Sequence, residues 1–156
     1  MELNGTTYFE RKIMTIHVVL EPEGIHELVG KAGRVLMLPF RGTVEGELFN
    51  GIVLPGGCDT QVENLAGVRH MSARYMLEGT DCSGQKGRIY IENNGWYTDG
   101  NNPVPFVTVP TFYTDCEALA DFLHTNQFIT KGFPGEAGPD ICVYQLIPQS
   151  KGTRST

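Results

Sequence analysis

Apolar residues along this chain recur mostly with a period of two, the signature of strands with one covered face. Phe9 to Leu20 reads as one long strand of apolar and β-branched residues. Gly33 to Phe40 is apolar on both parities, which predicts a strand covered on both sides. Thr43 to Leu48 and Gly51 to Leu54 are predicted to pair around a tight turn at Phe49-Asn50-Gly51, after which Pro55-Gly56-Gly57 breaks the pattern. Arg69 to Thr80, Lys86 to Asn94, Val104 to Tyr113, Gln127 to Phe133 and Ile141 to Ile147 supply further strands. Turn signals recur at Ser83-Gly84, Asn94-Gly95, Asp99-Gly100 and Pro134-Gly135. One helix stands out near residues 115–125. Thr114 and Glu117 have capping-box spacing, and Cys116, Leu119, Phe122 and Leu123 fall on one helical face.

The two central strands can be paired by counting. A three-residue loop Cys82-Ser83-Gly84, with glycine in the left-handed position, makes opposed residue numbers sum to about 166. Glu78 then faces Arg88, and Arg74 faces Glu92. The opposite face carries Ala73, Tyr75 and Leu77 against Asn93, Ile91 and Ile89. One face is laced with opposite charges and the other is apolar. Two polar side chains, Tyr75 and Asn93, therefore sit on the face expected to be buried. Each needs a partner there, because an unpaired buried phenol or amide costs about 1–3 kcal/mol. An internal network, a water or a ligand would each satisfy them.

Many short antiparallel strands and a single helix favour a barrel or a sandwich, and closure into a barrel removes exposed strand edges. At 156 residues and 17.2 kDa the chain forms one domain, expected over residues 1–148, with a polar tail at 149–156. Nineteen glycines and nine prolines agree with many turns. Twelve basic and eighteen acidic residues leave a net charge of −6, which disfavours nucleic acid and anionic membrane as partners. Cys58, Cys82, Cys116 and Cys142 have no CxxC spacing and read as reduced thiols of a cytoplasmic protein. The first dozen residues have no apolar run of the secretory kind, and no apolar stretch is long enough to cross a bilayer. Asn4-Gly5-Thr6 matches a glycosylation sequon, read here as a turn.

Motifs that announce particular chemistries are missing. Gly24 to Lys31 has the wrong spacing for a phosphate loop and lacks the following Ser or Thr; GxSxG and GxGxxG do not occur. The histidines at 17, 26, 70 and 124 are scattered, so no metal or cofactor is expected. His17 shares strand parity with Ile13 and Val19, which would turn it inward. Trp96 and Tyr97 follow a turn and read as loop packing or an aromatic lid. The densest polar segment runs from Gly42 to Gly46 and from Pro55 to Gln61. Thr43 and Glu45 share one face there, and Asp59 and Gln61 another. An Asp and a Glu converging in an apolar pocket would have separated pKa values and could serve as acid and base. The competing reading has Asp59 capping the Gly56-Gly57 turn and Gln61 exposed.

These stretches resemble domain-of-unknown-function family 3237, an uncharacterised family of bacteria and fungi. The resemblance is carried by Pro39-Phe40, Gly42 to Gly46, Gly51, Val53 to Asp59 and Gln61. It continues through Ala73 to Leu77, Gly84, Ile89 to Ile91, Asn93, Gly95, Pro110 to Phe112 and Val143-Tyr144. The VLPGGxDxQ run is its most specific part; Thr60 stands where the family often has an aromatic residue. The resemblance implies an all-β fold, a single closed antiparallel β-barrel of the calycin-like or cyclase-barrel sort. It carries no established activity, although similar small barrels hold apolar ligands or catalyse cyclisation and isomerisation.

The sequence thus predicts an interior site for a small, partly apolar molecule. Tyr75, Asp59 and Glu45 are the expected proton-handling groups, and Asn93, Gln61, Thr43 and Tyr144 the expected ligand contacts. A cofactor-free isomerase, cyclase or lyase fits such a set. A non-catalytic binding barrel is the first alternative. A filled barrel acting as a structural module is the second, with a homodimer formed through the doubly apolar Gly33–Phe40 strand.

Overall fold

The computed structural model describes residues 1–98 and 103–149. The predicted turn at Asp99-Gly100 and all of the tail beyond Gln149 lie outside them. Ten strands and one short helix form in the order β1 (Glu2–Leu3), β2 (Thr6–Leu20), β3 (His26–Gly30), β4 (Gly33–Glu45), β5 (Phe49–Asn64), β6 (Arg69–Asp81), β7 (Lys86–Tyr97), β8 (Phe106–Thr114), α1 (Glu117–Leu123), β9 (Phe128–Phe133) and β10 (Asp140–Pro148). All pairings are antiparallel. The sheet runs β2-β10-β9-β8-β7-β6-β5-β4 and returns to β2, so eight strands close a barrel. β1 and β3 add to its outside. The fold class is as expected, down to the single helix.

The β6–β7 hairpin sets the interior. Its pairs run from Arg69↔Tyr97 to Thr80↔Lys86, with Glu78 opposite Arg88 as the counting predicts. Asp81 N–H donates to the Gln85 carbonyl at 2.9 Å, closing a loop in which Gly84 takes φ +85°. A side chain with a Cβ would be strained there. The inward residues form layers about 7 Å apart along the hairpin. Leu77–Ile89 lies deepest, then Tyr75–Ile91, Ala73–Asn93, Met71–Gly95 and finally Arg69–Tyr97. Leu77 and Ile89 are wholly buried, together with Phe49, Leu119 and Leu123. The helix therefore plugs one end of the barrel. Towards the other end the layers carry Ala73, Gly95 and Gly132, which are too small to fill an eight-stranded lumen.

Several local expectations are corrected. The β4–β5 turn falls before Phe49, which is fully buried and pairs with Asp81; Asn50 instead closes the turn, its amide bonding both N and O of Gly46. Pro55-Gly56-Gly57 does not end a strand. It lies in the register shift between Val53 and Cys58, with Gly56 at φ +104°, and β5 continues beyond it. Gly33–Phe40 is not covered on both sides: Met37 is exposed and Val35, Leu36 and Leu38 are only half-buried. That part of β4 is flanked by the exposed strand β3. The helix begins at Glu117 with Cys116 as its N-cap, not at Thr114. Thr114 belongs to β8, where its hydroxyl donates to the Arg88 carbonyl and accepts from Cys116 N–H. His17 points outward, because β2 carries an extra residue at Ile13 against the Met14–Val143 and Lys12–Tyr144 pairs. That bulge reverses the parity on which the inward reading rests.

Candidate functional site

The small upper layers leave a cavity of about 470 Å³ at the barrel end away from α1. Its wall is mainly apolar, with Leu20, Leu38, Phe40, Phe106 and Ile141 around it. Asp59, Gln61, Arg69, Tyr75, Asn93 and Thr108 bring polar groups to the same space. An apolar recess with a few convergent polar groups is the usual form of a small-molecule site.

Asp59 reaches the cavity from the stretch of β5 just past the bulge. Gln61, two residues on and therefore on the same face, donates from Nε2 to Asp59 Oδ2 at 2.8 Å. Oδ1 is buried without a hydrogen-bond partner among the described residues. Burial pushes the Asp59 carboxyl above the ordinary aspartate range, against the opposing pull of the Gln61 hydrogen bond and the Arg69 and His70 charges. The acid is thereby biased towards its neutral form.

Tyr75 is 5% exposed and packs edge-on against Phe40, with ring centroids 5.1 Å apart. Its hydroxyl makes no hydrogen bond to any described residue. Burial, reinforced by the nearby Asp59 charge, holds its pKa well above that of free tyrosine. It is a neutral phenol throughout the physiological range. Asn93 is buried at the other side of the hairpin. Its Nδ2 donates to Thr130 Oγ1 at 3.1 Å, and Thr130 in turn bonds Thr108. At the mouth, Arg69 lies over the Tyr97 ring, 4.6 Å from its centroid.

Four of the seven residues expected at the site, Tyr75, Asp59, Gln61 and Asn93, line this one cavity. Asp59 does not cap the glycine turn, and Gln61 is half-buried against it. Glu45, Thr43 and Tyr144 are elsewhere. Val44 takes the inward position on β4, so its neighbours Thr43 and Glu45 face solvent, and Glu45 accepts a hydrogen bond from His17 Nε2 at 2.9 Å. Tyr144 sits outside the cavity lining, with the Lys131 ammonium 5.3 Å from its ring centroid. Among the described residues no Asp–Glu pair converges in the pocket. Arg69, Phe106 and Thr108 carry no sequence expectation, and Tyr97, read as loop packing or an aromatic lid, ends β7 and lines the cavity. Parity could have found Arg69 and the inward turn of Tyr97: Arg69 lies on the inward register of Met71, Ala73 and Tyr75, and Tyr97 is its partner. Trp96, beside it, faces outward and stacks on His70 at 4.6 Å.

Among the described residues, no group of three His, Cys, Asp or Glu side chains could hold a metal ion. No helix among the described residues is long and apolar enough to cross a membrane. The four cysteines are unpaired.

Comparison with known proteins places the geometry in a wider set. A family model described as a protein of unknown function, DUF3237, matches residues 11–146. A UPF0311 protein of Clostridium acetobutylicum is 34% identical over 111 residues, covering 71% of this chain and 60% of that protein, less than two thirds of its length. Among solved structures, a Clostridium acetobutylicum protein of unknown function superposes with a TM-score of 0.71 at 27% identity, over 88% of this chain and 99% of that one. A conserved protein of unknown function from Rhodopseudomonas palustris gives 0.73 at 23% identity, covering 90% and 99%. A protein of Acinetobacter baumannii described as beta-barrel like gives 0.69 at 21%, covering 93% and 99%.

Proposed function

The chain belongs to the DUF3237 family, which lends it a barrel but no activity, and from its cavity we propose a site for a small, partly apolar molecule on which a proton is moved without a cofactor. The reaction classes that fit are isomerisation, cyclisation and elimination. The observation that carries this reading is the buried Oδ1 of Asp59, without a hydrogen-bond partner among the described residues, facing a cavity that Tyr75 also lines. A buried acceptor without a partner is expensive to maintain, and a bound molecule would supply one.

In this reading Asp59 gives or takes the proton, since burial shifts its pKa upward, the direction that makes its carboxylate the stronger base. Tyr75, as a neutral phenol, donates a hydrogen bond to the oxygen on which charge develops. Gln61 is a positioning residue that fixes the orientation of the Asp59 carboxyl. The proposal includes kinship with calycin-like or cyclase barrels and a cytoplasmic location, where four unpaired cysteines would stay reduced. The test is to screen metabolites against the pure protein and then measure affinity and turnover of any hit in Asp59→Asn and Tyr75→Phe. Unchanged values in both variants reject the site. A compound retained through purification and recovered unaltered would favour binding without turnover.

A homodimer is supported by a separate observation. Leu28 on β3, Val35 on β4 and Val62 on β5 are successive register partners on one face, and Leu28 and Val62 are exposed. An apolar row beside a free strand edge is a common seat for a second copy. Light scattering that gives a monomer mass at micromolar concentration would overturn it.

A further inference from the structure

The polar groups of the cavity are arranged in a line. Asp59 on β5 is the register partner of Ala73 on β6, and Ala73 is the partner of Asn93 on β7. Neighbouring antiparallel strands are about 5 Å apart at Cα, so the acid and the amide rise from backbones about 10 Å apart. Between them stands only a methyl group. The result is a slot with a hydrogen-bonding group at each end. At one end, Asp59 Oδ1 has no hydrogen-bond partner among the described residues. At the other, the Asn93 amide donates one hydrogen to Thr130 Oγ1 and its Oδ1 lies 3.5 Å from the same hydroxyl, which leaves a second amide hydrogen and one carbonyl lone pair.

The walls of the slot are aromatic. Phe40 on β4 and Phe106 on β8 belong to strands halfway round the ring from each other. Tyr75 meets Phe40 edge-on, and Tyr97 meets Phe106 edge-on with centroids 6.3 Å apart. Such walls favour a flat, polarisable guest. An ionised guest of either sign would have to shed its water in a mainly apolar recess, which disfavours charge.

Resting on the interior site proposed above, we infer that the guest is an uncharged compound of one or two flat rings with oxygen functions on two opposite edges, one read by Asp59 and the other by Asn93. Hydroxyl and carbonyl groups both fit. A protonated Asp59 donates to a carbonyl and its free oxygen accepts from a hydroxyl, while the Asn93 amide can do either.

The test uses the full chain and three soluble probes in titration calorimetry: a naphthalenediol with hydroxyls at opposite ends of the long axis, β-naphthol, and the naphthalene dicarboxylate of the same geometry as the diol. The diol should bind about tenfold tighter than the single alcohol, the gain of one net hydrogen bond, and the dicarboxylate should not bind. Asp59→Leu and Asn93→Ala should each bring the diol down to the level of naphthol, and Ala73→Leu should abolish all binding by filling the slot. The comparison of probes on the unaltered protein needs no substitution, so a misfolded variant cannot hide its answer. If diol and naphthol bind equally and Ala73→Leu blocks both, the two-ended class is wrong and the interior site stands. If no probe binds, or if Ala73→Leu binds them as the unaltered protein does, both fall.

Discussion

Arg88 on β7 places Nη2 2.8 Å and Nε 2.9 Å from the same oxygen of Glu78 on β6. The pair is on the outer face of the barrel, with both side chains about half exposed. Water screens such a pair, so its coupling should be about 0.2–1 kcal/mol in a double-mutant cycle of Glu78→Gln and Arg88→Met measured by urea unfolding. The stability of the hairpin comes from the inner face instead. Leu77, next to Glu78, is wholly buried, and Leu77→Ala should cost about 2–5 kcal/mol in the same assay. A coupling above about 2 kcal/mol, or a mild Leu77→Ala, would reverse this assignment.

Asp59 makes the opposite kind of contribution. Its folded pKa is raised, by burial first of all, so the folded protein holds that proton more tightly than the unfolded chain. Stability from this group therefore falls as pH rises from the ordinary aspartate pKa through the raised folded value, and the penalty stays in place above it. Asp59→Asn should stabilise the fold at neutral pH by about 1 kcal/mol or more, while removing proton transfer. Carboxyl carbon shifts followed by NMR would read the titration directly. Gln61→Leu should move it further upward, since the hydrogen bond that opposes desolvation is lost. A titration at the usual aspartate pKa would remove the proton-handling role.

The success of the hairpin count and the failure at Glu45 have the same origin. Across β6 and β7 there is no bulge, so one loop length fixes every pair from Arg69↔Tyr97 to Thr80↔Lys86, and complementary residues on both faces choose the register. Tyr75 and Asn93 were placed inside by that argument alone. Glu45 and Thr43 sit on strand β4, whose pairing with β5 shifts between Phe40 and Gly42. Parity within the strand showed that they share a face but could not say which. The inward position of Val44 decides it. The same limitation misplaced His17, where an extra residue at Ile13 inverts the alternation. A bulge is a choice of backbone pairing, made by the whole sheet, and leaves little trace in a single strand's pattern. The cavity itself was only partly legible. Its polar floor followed from register, but its volume depends on small residues that separate strands bring to one wall, Ala73 on β6 and Gly132 on β9.

His17 joins three strands at the seam where the barrel closes. Its Nδ1 lies 2.8 Å from Asp140 Oδ1 on β10, and its Nε2 2.9 Å from Glu45 Oε1 on β4. Both nitrogens donate only when the ring is charged. The hydrogen bond to Glu45, then that to Asp140, raises its pKa. This stabilisation is fully present below the unfolded histidine pKa, about 6.5, and is lost as pH rises through the raised folded value. The groups are substantially exposed, so the effect should be under about 1 kcal/mol. Thermal melts between pH 5 and pH 9 should show the unaltered protein losing stability relative to His17→Gln across that window; parallel profiles would show that the seam draws nothing from the charge.

Gly132 holds the aromatic wall in place. It is the register partner of Phe106, and a Cβ at this position would meet three atoms of the Phe106 ring. The ring thus lies across the bare backbone of β9, the arrangement by which an aromatic side chain covers a glycine in a sheet. Gly132→Ala cannot be absorbed by that neighbour without displacing the ring, and the nearest unfilled space is the cavity that Phe106 lines. The variant should lose about 1–3 kcal/mol from overpacking and lose affinity for any interior guest at the same time. Phe106→Ala in the same background should restore room in the cavity, and with it part of the binding, while leaving the fold weaker than the parent. If Gly132→Ala binds guests as the unaltered protein does, Phe106 does not form a wall of the site.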